Sequence, residues 1–234
     1  MQLSLLERDR ARQLPLSLDA SAPACRDDVV ESPECALGVR LVDAWPNWPS
    51  HAVILSGASG TGKTFLAELW AARSGATQLV GTDLAGLDPL PHAGGAVLIE
   101  HIDIALRGER PRAAQTGLFH LLNTLRETRG HVLMTSRTPP GGWSLGVRDL
   151  ASRLAGATHV ALQQPSDAAL EAVLHKLFAD RQLPAEPATI AFLIARVPRS
   201  LVFARDLVER IDRMALAERR RVDRRLAAQA LETF

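Results

Sequence analysis

Several residue types are scarce in this 234-residue sequence, which has no tyrosine, two cysteines and only two lysines, Lys63 and Lys176. Two cysteines cannot build a disulfide framework, and Cys25 and Cys35 lack the spacing of metal ligands, as is usual in a reducing compartment. No run approaches the roughly 20 apolar residues of a membrane-spanning helix, and charges follow Met1 too soon for a signal sequence. We therefore expect a cytoplasmic protein with no membrane partner.

An excess of either charge is also missing. The sequence has 27 basic and 26 acidic residues and a formal net charge of +1. This balance argues against the overall field of a dedicated nucleic-acid-binding protein, so we predict no non-specific DNA binding. We also expect no direct sequence-specific DNA contact. With 47% hydrophobic and 23% charged residues, the chain is expected to be globular and to bury its own core.

A glycine-rich segment follows an apolar run of buried-strand type, residues 52–56, and precedes a stretch of helical character. Glycines allow consecutive backbone N–H groups to turn toward a phosphate chain, and the N-terminus of the next helix adds its dipole. A lysine places a compact positive charge on the β- and γ-phosphates, and a threonine hydroxyl can bind Mg²⁺. The predicted nucleotide-binding residues are Gly57, Ala58, Ser59, Gly60, Thr61, Gly62, Lys63, Thr64 and Phe65.

Apolar runs and helical stretches alternate after this loop, with further strands predicted at residues 77–80, 96–99, 131–135 and 158–162. Such alternation predicts an α/β fold with a five-stranded parallel sheet and flanking helices. After Pro165 only helical patterns follow, the first N-capped by Ser166. The predicted organisation is a mobile tail, a nucleotide-binding base and an all-helical lid, over residues 1–24, 25–162 and 163–234.

The glycine-rich segment over residues 57–64 is a phosphate-binding loop, or P-loop. A base that carries a P-loop, followed by a small helical lid, resembles an AAA+ module. Such modules carry a second acidic motif after a buried strand, and here residues 96–99 lead into Glu100 and His101. The resemblance implies that Glu100 holds Mg²⁺ through water, although it could be an ordinary polar strand end. His101 stands where the acid that polarises the attacking water is expected, and imidazole is a poorer base there. We therefore expect bound ADP or ATP with Mg²⁺, and weak or no intrinsic ATP hydrolysis.

Two further AAA+ positions sense the nucleotide phosphates. Thr135 and Ser136 end the strand beside the P-loop strand, where sensor 1 is found, and a plain strand-to-turn interpretation explains them almost equally well. Arg199 opens a lid helix at the sensor-2 position, with Arg196 and Arg205 as nearby alternatives. Arg199 would fold the lid onto the phosphates of the chain's own nucleotide.

Residues 149–154 resemble the segment that carries the arginine finger in replication-initiator AAA+ proteins, and Arg153 matches the finger. An arginine finger neutralises charge that develops on a neighbour's γ-phosphate and is worth about 10³ to 10⁵ in rate. It therefore implies a partner, although Arg153 is also one arginine among many. Upstream, Val29 and Val30 resemble the segment that packs around adenine, but such an apolar pair could equally belong to the core.

Together these motifs resemble the Hda family, regulators related to the bacterial initiator DnaA. DnaA also carries a C-terminal helix-turn-helix that reads origin DNA, and we expect none in this chain. The arginine-rich stretch over residues 219–225 is interpreted first as a solvated face. Both features favour a regulator over an initiator.

The tail contains a stretch similar to the short peptide with which replication proteins bind the DNA sliding clamp. Such a peptide needs a glutamine amide at one end and leucines that fill an apolar cleft at the other. The matching residues are Gln13, Leu14, Leu16 and Leu18. A second candidate, residues 2–6, lies closer to the N-terminus and is followed by charges.

The resemblance implies a mechanism in trans. The protein would bind the sliding clamp, the β subunit of DNA polymerase III, through its tail and present Arg153 to ATP on DnaA. Hydrolysis of that ATP would prevent re-initiation. The protein would then be associated with the nucleoid and replisome, and whether it forms a homodimer stays open.

Two other functions fit parts of the pattern. A stand-alone ATPase of the helicase-loader type would use the same base and lid, but His101 argues against it. A P-loop phosphotransferase would need a mobile, arginine-rich lid between late strands, for which only the loop over residues 107–112 is a candidate.

Overall fold

A computed structural model describes residues 24–234 of the chain. Its centre is a five-stranded parallel sheet in the order β2-β3-β4-β1-β5. The strands are β1 (Ala52–Ser56), β2 (Thr77–Leu79), β3 (Ala96–Ile99), β4 (His131–Ser136) and β5 (Thr158–Ala161). The predicted fold class is therefore confirmed, and each predicted strand lies within one residue of its observed bounds.

Helices cover both faces of the sheet. In the base they are α1 (Ala36–Ala44), α2 (Lys63–Ser74), α3 (Ile102–Ala105), α4 (Pro111–Glu127) and α5 (Arg148–Ala155). One core joins α1 and α2 to the sheet, and the other joins α3, α4 and α5 to it. Helix α4 begins at Pro111, whose missing N–H has no intrahelical partner in the first turn anyway. Helix α1 begins at Ala36, three residues after Pro33.

Strand β1 lies between β4 and β5, and this order decides which residues meet at the P-loop. Ser56 at the end of β1 is in register with Ser136 at the end of β4, and Ile99 at the end of β3 is in register with Met134. Because parallel strands point the same way, the residues that follow β1, β3 and β4 all emerge at one edge of the sheet.

The lid consists of α6 (Asp167–Asp180), α7 (Pro187–Ile194), α8 (Leu201–Glu218) and α9 (Arg224–Glu232), which share a hydrophobic core of their own. Ser166 N-caps α6 as predicted, accepting a hydrogen bond from Ala169 N. Ser200 and Asp223 cap α8 and α9 in the same way. Within residues 24–234, no helix is long and apolar enough to cross a membrane.

Candidate functional site

The P-loop joins β1 to α2 and touches the lid directly. Gly60 and Gly62 have φ values of +80° and +92°, which glycine adopts without a steric penalty. Gly60 O accepts a hydrogen bond of 2.8 Å from Leu201 N, in the first turn of α8. A Cβ on Gly60 would lie 2.2 Å from Ser200 Oγ. The loop and the start of α8 are therefore too close for any larger residue at position 60.

Lys63 lies under the loop and is only 6% exposed. Its Nζ donates hydrogen bonds of 2.7 Å to Gly57 O and 2.7 Å to Ala58 O, and Thr61 Oγ1 lies 3.3 Å away. Burial lowers the pKa of this ammonium group, and the positive charge of Arg137 lowers it further. The lysine charge is thus held at the phosphate-binding turn, as the motif predicts.

Glu100 and His101 follow β3 at the same edge. The Oε1 atom of Glu100 is buried and has no hydrogen-bond partner among residues 24–234. A buried carboxylate oxygen of this kind fits a water bound to Mg²⁺, and the Thr64 hydroxyl would be the direct protein ligand. His101 is exposed, has a φ of +52°, and donates its backbone N–H to Thr135 Oγ1 at 3.0 Å. Across from Glu100, burial and the Glu100 charge raise the pKa of Glu68, on α2.

Thr135 and Ser136 lie beside the P-loop strand, as predicted, and both are fully buried. Ser136 Oγ donates a hydrogen bond to Thr138 O at 2.5 Å, and Thr135 Oγ1 accepts from His101 N. The side chains of both sensor-1 candidates thus have intramolecular partners. The next residue, Arg137, is exposed, and its backbone N–H donates to Asp103 Oδ1 at 3.3 Å.

Asp103 lies in the first turn of α3 and also contacts the turn after β4. Its other oxygen, Oδ2, accepts a hydrogen bond of 3.3 Å from Thr138 Oγ1, and the residue is 5% exposed. Arg107 donates to the same Thr138 hydroxyl at 3.2 Å. Asp103 therefore fixes the turn after β4 to α3, next to the P-loop.

On the lid, Arg199 precedes the cap of α8, adjacent to the contact with Gly60. Its guanidinium pairs with Asp167 of α6, the Nη2–Oδ1 distance being 3.0 Å, and both side chains are more than half exposed. The other two candidates for sensor 2 make different contacts. Arg196 lies over the Phe192 ring, and Arg205 contacts Asp206 at 3.5 Å.

A cleft lies between the P-loop, the lid and the N-terminal segment of the base, residues 24–35. Val30 lines it, whereas Val29 packs partly into the core beside α1 and α2. Of the two valines predicted to lie near adenine, only Val30 therefore faces the cleft. Phe65 likewise packs against that core. The other lining residues are Ser32, Glu34, Cys35, Thr61, Gln163, Pro165, Ala169, Val173 and Leu201.

Glu34 connects the two sides of this cleft. Its Oε1 accepts a hydrogen bond of 3.2 Å from Ser166 N, at the cap of α6, and its backbone oxygen accepts one of 3.3 Å from Gln163 N. Hydrogen bonding by Ser166 and then by Ser32 lowers the pKa of Glu34 to about 2. The carboxylate therefore stays charged throughout the neutral range.

Arg153 lies on α5, apart from these residues. Leu150 and Leu154 are the buried residues of that helix, and Arg153 is half-buried next to Leu154. Within residues 24–234, its guanidinium makes no hydrogen bond or ion pair. The clamp-binding candidates Gln13, Leu14, Leu16 and Leu18, and residues 2–6, lie outside the described residues.

The sequence did not single out Glu34, Glu68 or Arg137. Glu34 contacts a residue 132 positions away, and no local pattern encodes such a pairing. Arg137 could have been found as the residue that follows a predicted sensor strand. Glu68 could have been found as the residue one helical turn after Thr64, on the same face of α2.

Neither a protein-family profile nor a curated protein sequence matches the chain. Among solved structures, domain III of the replication initiation protein DnaA from Thermotoga maritima superposes with a TM-score of 0.76 at 16% identity, covering 89% of this chain and 95% of that domain. AMPPCP-bound DnaA from Aquifex aeolicus gives 0.66 at 17% identity, over 81% and 64% of the two chains. The RuvB Holliday junction branch migration motor of T. maritima gives 0.66 at 17% identity, over 91% and 72%. The chain therefore has the AAA+ P-loop fold in the form seen in DnaA domain III.

Proposed function

We propose that the protein binds ADP or ATP with Mg²⁺ between its base and its lid. The P-loop, the buried Lys63 and the free oxygen of Glu100 support a phosphate and metal position at the edge of the sheet. The cleft beside Val30 and Pro165 is narrow and would have to open to accept the base of the nucleotide. One of the similar structures, DnaA from Aquifex aeolicus, was solved with AMPPCP bound.

We further propose that the nucleotide-bound protein regulates replication initiation in trans. Residues 13–18 would dock on the sliding clamp, and Arg153 would be inserted beside the γ-phosphate of ATP bound to DnaA. The observation that carries this proposal is the position of Arg153. It lies on a base helix with no intramolecular acid partner among the described residues, in a fold like that of DnaA domain III.

The residue after Glu100 supports a regulator rather than a self-sufficient ATPase. Efficient hydrolysis needs a carboxylate that orients and polarises the attacking water. Position 101 instead carries a histidine whose backbone is in the left-handed region. The chain's own nucleotide would then shape the interface with DnaA and would be turned over slowly.

The test measures the decay of ATP prebound to DnaA in the presence of the full chain and a clamp loaded on DNA. The wild-type protein should accelerate the decay, and Arg153→Ala should reduce the acceleration by about 10³-fold or to background. Gln13→Ala should reduce it by weakening clamp binding. Arg148→Ala is the matched control, because Arg148 is an exposed arginine on the same helix, and this variant should keep the wild-type rate.

The outcomes separate the proposed regulator from its main alternative. No acceleration, together with ATP turnover by this protein alone, would favour a stand-alone ATPase of the helicase-loader type. Equal losses in Arg153→Ala and Arg148→Ala would show that charge on α5, rather than a finger, matters. Wild-type activity in Gln13→Ala would leave residues 2–6 as the clamp-binding candidate.

A further inference from the structure

Arginines concentrate on the lid surface where α7 and α8 end and α9 begins. We call the exposed ones the arginine cluster: Arg196, Arg219, Arg221, Arg224 and Arg225. In the described part of the chain, no carboxylate oxygen lies within 4.0 Å of any guanidinium of the cluster. The near-zero net charge of the chain therefore conceals one uncompensated positive region.

The acids nearest to the cluster in sequence already have partners. Glu218 and Asp223 both contact Arg220, each at 3.1 Å, and Arg220 is the least exposed arginine of residues 219–225. Asp223 also N-caps α9 by accepting a hydrogen bond of 2.7 Å from Leu226 N. These carboxylates are thus committed to the local structure and leave the cluster unbalanced.

Two members of the cluster are held on a single aromatic ring. The Cζ atoms of Arg196 and Arg224 lie 4.0 Å and 4.8 Å from the centre of the Phe192 ring. Arg196 Nη1 also donates to Phe192 O at 3.2 Å. Stacking of this kind fixes guanidinium groups that would otherwise be mobile. It holds two like charges close to one aromatic ring, and a polyanion that reaches both would offset their repulsion.

The start of α9 combines an acidic cap with two arginines. Asp223 is the N-cap, and Arg224 and Arg225 are the first two residues of the helix. The N-terminal end of a helix has a partial positive charge, so the Asp223 carboxylate is favourable there and the two arginines are unfavourable. Because Asp223 already accepts a hydrogen bond from Leu226 N, the two arginine side chains, and not the helix dipole, are the groups left to attract an external anion.

We propose that the arginine cluster binds the phosphodiester backbone of duplex DNA without reading its sequence. Arginine side chains and helix N-termini are the groups with which proteins position phosphates. Two guanidinium groups stack on Phe192, so the cluster presents charge rather than an exposed apolar side chain. Protein interfaces usually have an apolar centre, so a charged surface of this kind favours a polyanion as the partner. The choice of DNA rests on the proposed function, in which the protein works on a clamp carried by DNA.

The test is fluorescence anisotropy with the full chain and a labelled duplex of about 25 base pairs, titrated from about 50 to 200 mM salt. No clamp or DnaA is present, so the result is independent of the regulatory assay. If about four phosphates are contacted, the slope of log K against log salt should be near −3.5, and the affinity should fall about 100-fold over this range.

Two variants assign the contact. The triple variant R221Q/R224Q/R225Q should reduce the magnitude of the slope by about 2.5. Arg221→Gln with Arg225→Gln alone should reduce it by about 2 while leaving the Phe192 contacts intact. The matched control changes Arg126, Arg129 and Arg148, exposed arginines of the base, to glutamine and should keep the wild-type slope. Thermal melting should show all variants folded, because every substituted arginine is exposed.

Three results would overturn the proposal. The first is no binding of wild type to the duplex at about 50 mM salt, where phosphate contacts are strong. The second is an equal reduction of the slope in the control triple variant, which would indicate an effect of net charge alone. The third is tighter binding to poly-glutamate than to DNA at equal anion concentration, which would identify an acidic protein surface as the partner.

Discussion

At the scale of single residues, the proposal of slow hydrolysis depends on His101. Its φ of +52° belongs to a region that non-glycine residues rarely adopt, and in which asparagine, aspartate and histidine are enriched. Its backbone N–H is fixed to Thr135, on the neighbouring strand. Because this hydrogen bond is made by the backbone, it holds residue 101 next to Glu100 whatever its side chain is.

Replacing His101 with glutamate should increase intrinsic ATP hydrolysis. A carboxylate at this position can accept a proton from the attacking water, and general-base catalysis contributes about 10²- to 10⁴-fold. Because glutamate is less suited than histidine to a positive φ, we expect only about a tenfold gain. Phosphate release with Mg²⁺ and ATP measures it. His101→Asn is the control, since asparagine tolerates this backbone but cannot act as a base; a gain in that variant would contradict the explanation.

Partly buried histidines make the stability of the base depend on pH. Burial lowers the pKa of His51 and of His131 below the usual 6.5. As the pH falls, the unfolded chain therefore takes up protons before the folded chain does, and the free energy of unfolding decreases. The stabilisation is complete above pH 6.5 and is lost progressively below it. Urea unfolding at pH 7.5 and 5.5 should show a decrease, and a smaller one when both residues are glutamine.

At the scale of the elements, close approaches between backbones fix how helices sit on the sheet. Gly117 lies in the middle of α4, against the turn over Gly81–Leu84. A Cβ at this position would lie 1.9 Å from Leu84 O. Because that atom belongs to the backbone, it cannot move aside as a flexible side chain would.

Gly117→Ala should therefore destabilise the fold by about 1–3 kcal/mol, the usual effect of overpacking. The sign of the change in the free energy of unfolding is informative, because alanine is intrinsically better than glycine in a helix by about 1 kcal/mol. The midpoint of urea unfolding measures the change. Gly141→Ala is the control, since its Cβ would have no neighbour within 4 Å. Stabilisation by Gly117→Ala would mean that α4 shifts away from Leu84.

Elements with a strong local signal could be predicted from the sequence. Residues 52–55 and 97–99 are buried on both faces of the sheet, so their strands consist of continuous apolar runs. The P-loop was predictable because its chemistry requires a contiguous motif. Glu34 and Arg137 were not, because their surroundings come from elements that only the fold brings together. The arginine cluster was predicted to be a solvated face, since a linear sequence does not show which acids are already paired.

At the scale of the whole molecule, the base contacts the lid through the P-loop and through the segment before α1. The P-loop contacts α8 through Gly60, Glu34 contacts the start of α6, and Asp28 lies 3.7 Å from Lys176 of that helix. Two of these contacts come from the segment that leads back to residues 1–23. The lid, the proposed nucleotide cleft and the predicted clamp-binding tail are therefore joined by a short length of chain.

Glu34→Ala should weaken nucleotide binding without unfolding the protein. It removes the acceptor for Ser166 N, so the lid loses a tie to the N-terminal segment that lines the cleft. Coupling between sites is typically worth at least about fivefold in affinity, and we expect a loss of that size for a fluorescent ADP analogue measured by anisotropy. Glu31→Ala is the matched control, because Glu31 lies on the same segment and pairs only with Arg26. Equal losses in the two variants would mean that the charge of the segment, and not the Glu34–Ser166 contact, supports binding, whereas an unchanged affinity in Glu34→Ala would separate lid position from the nucleotide altogether.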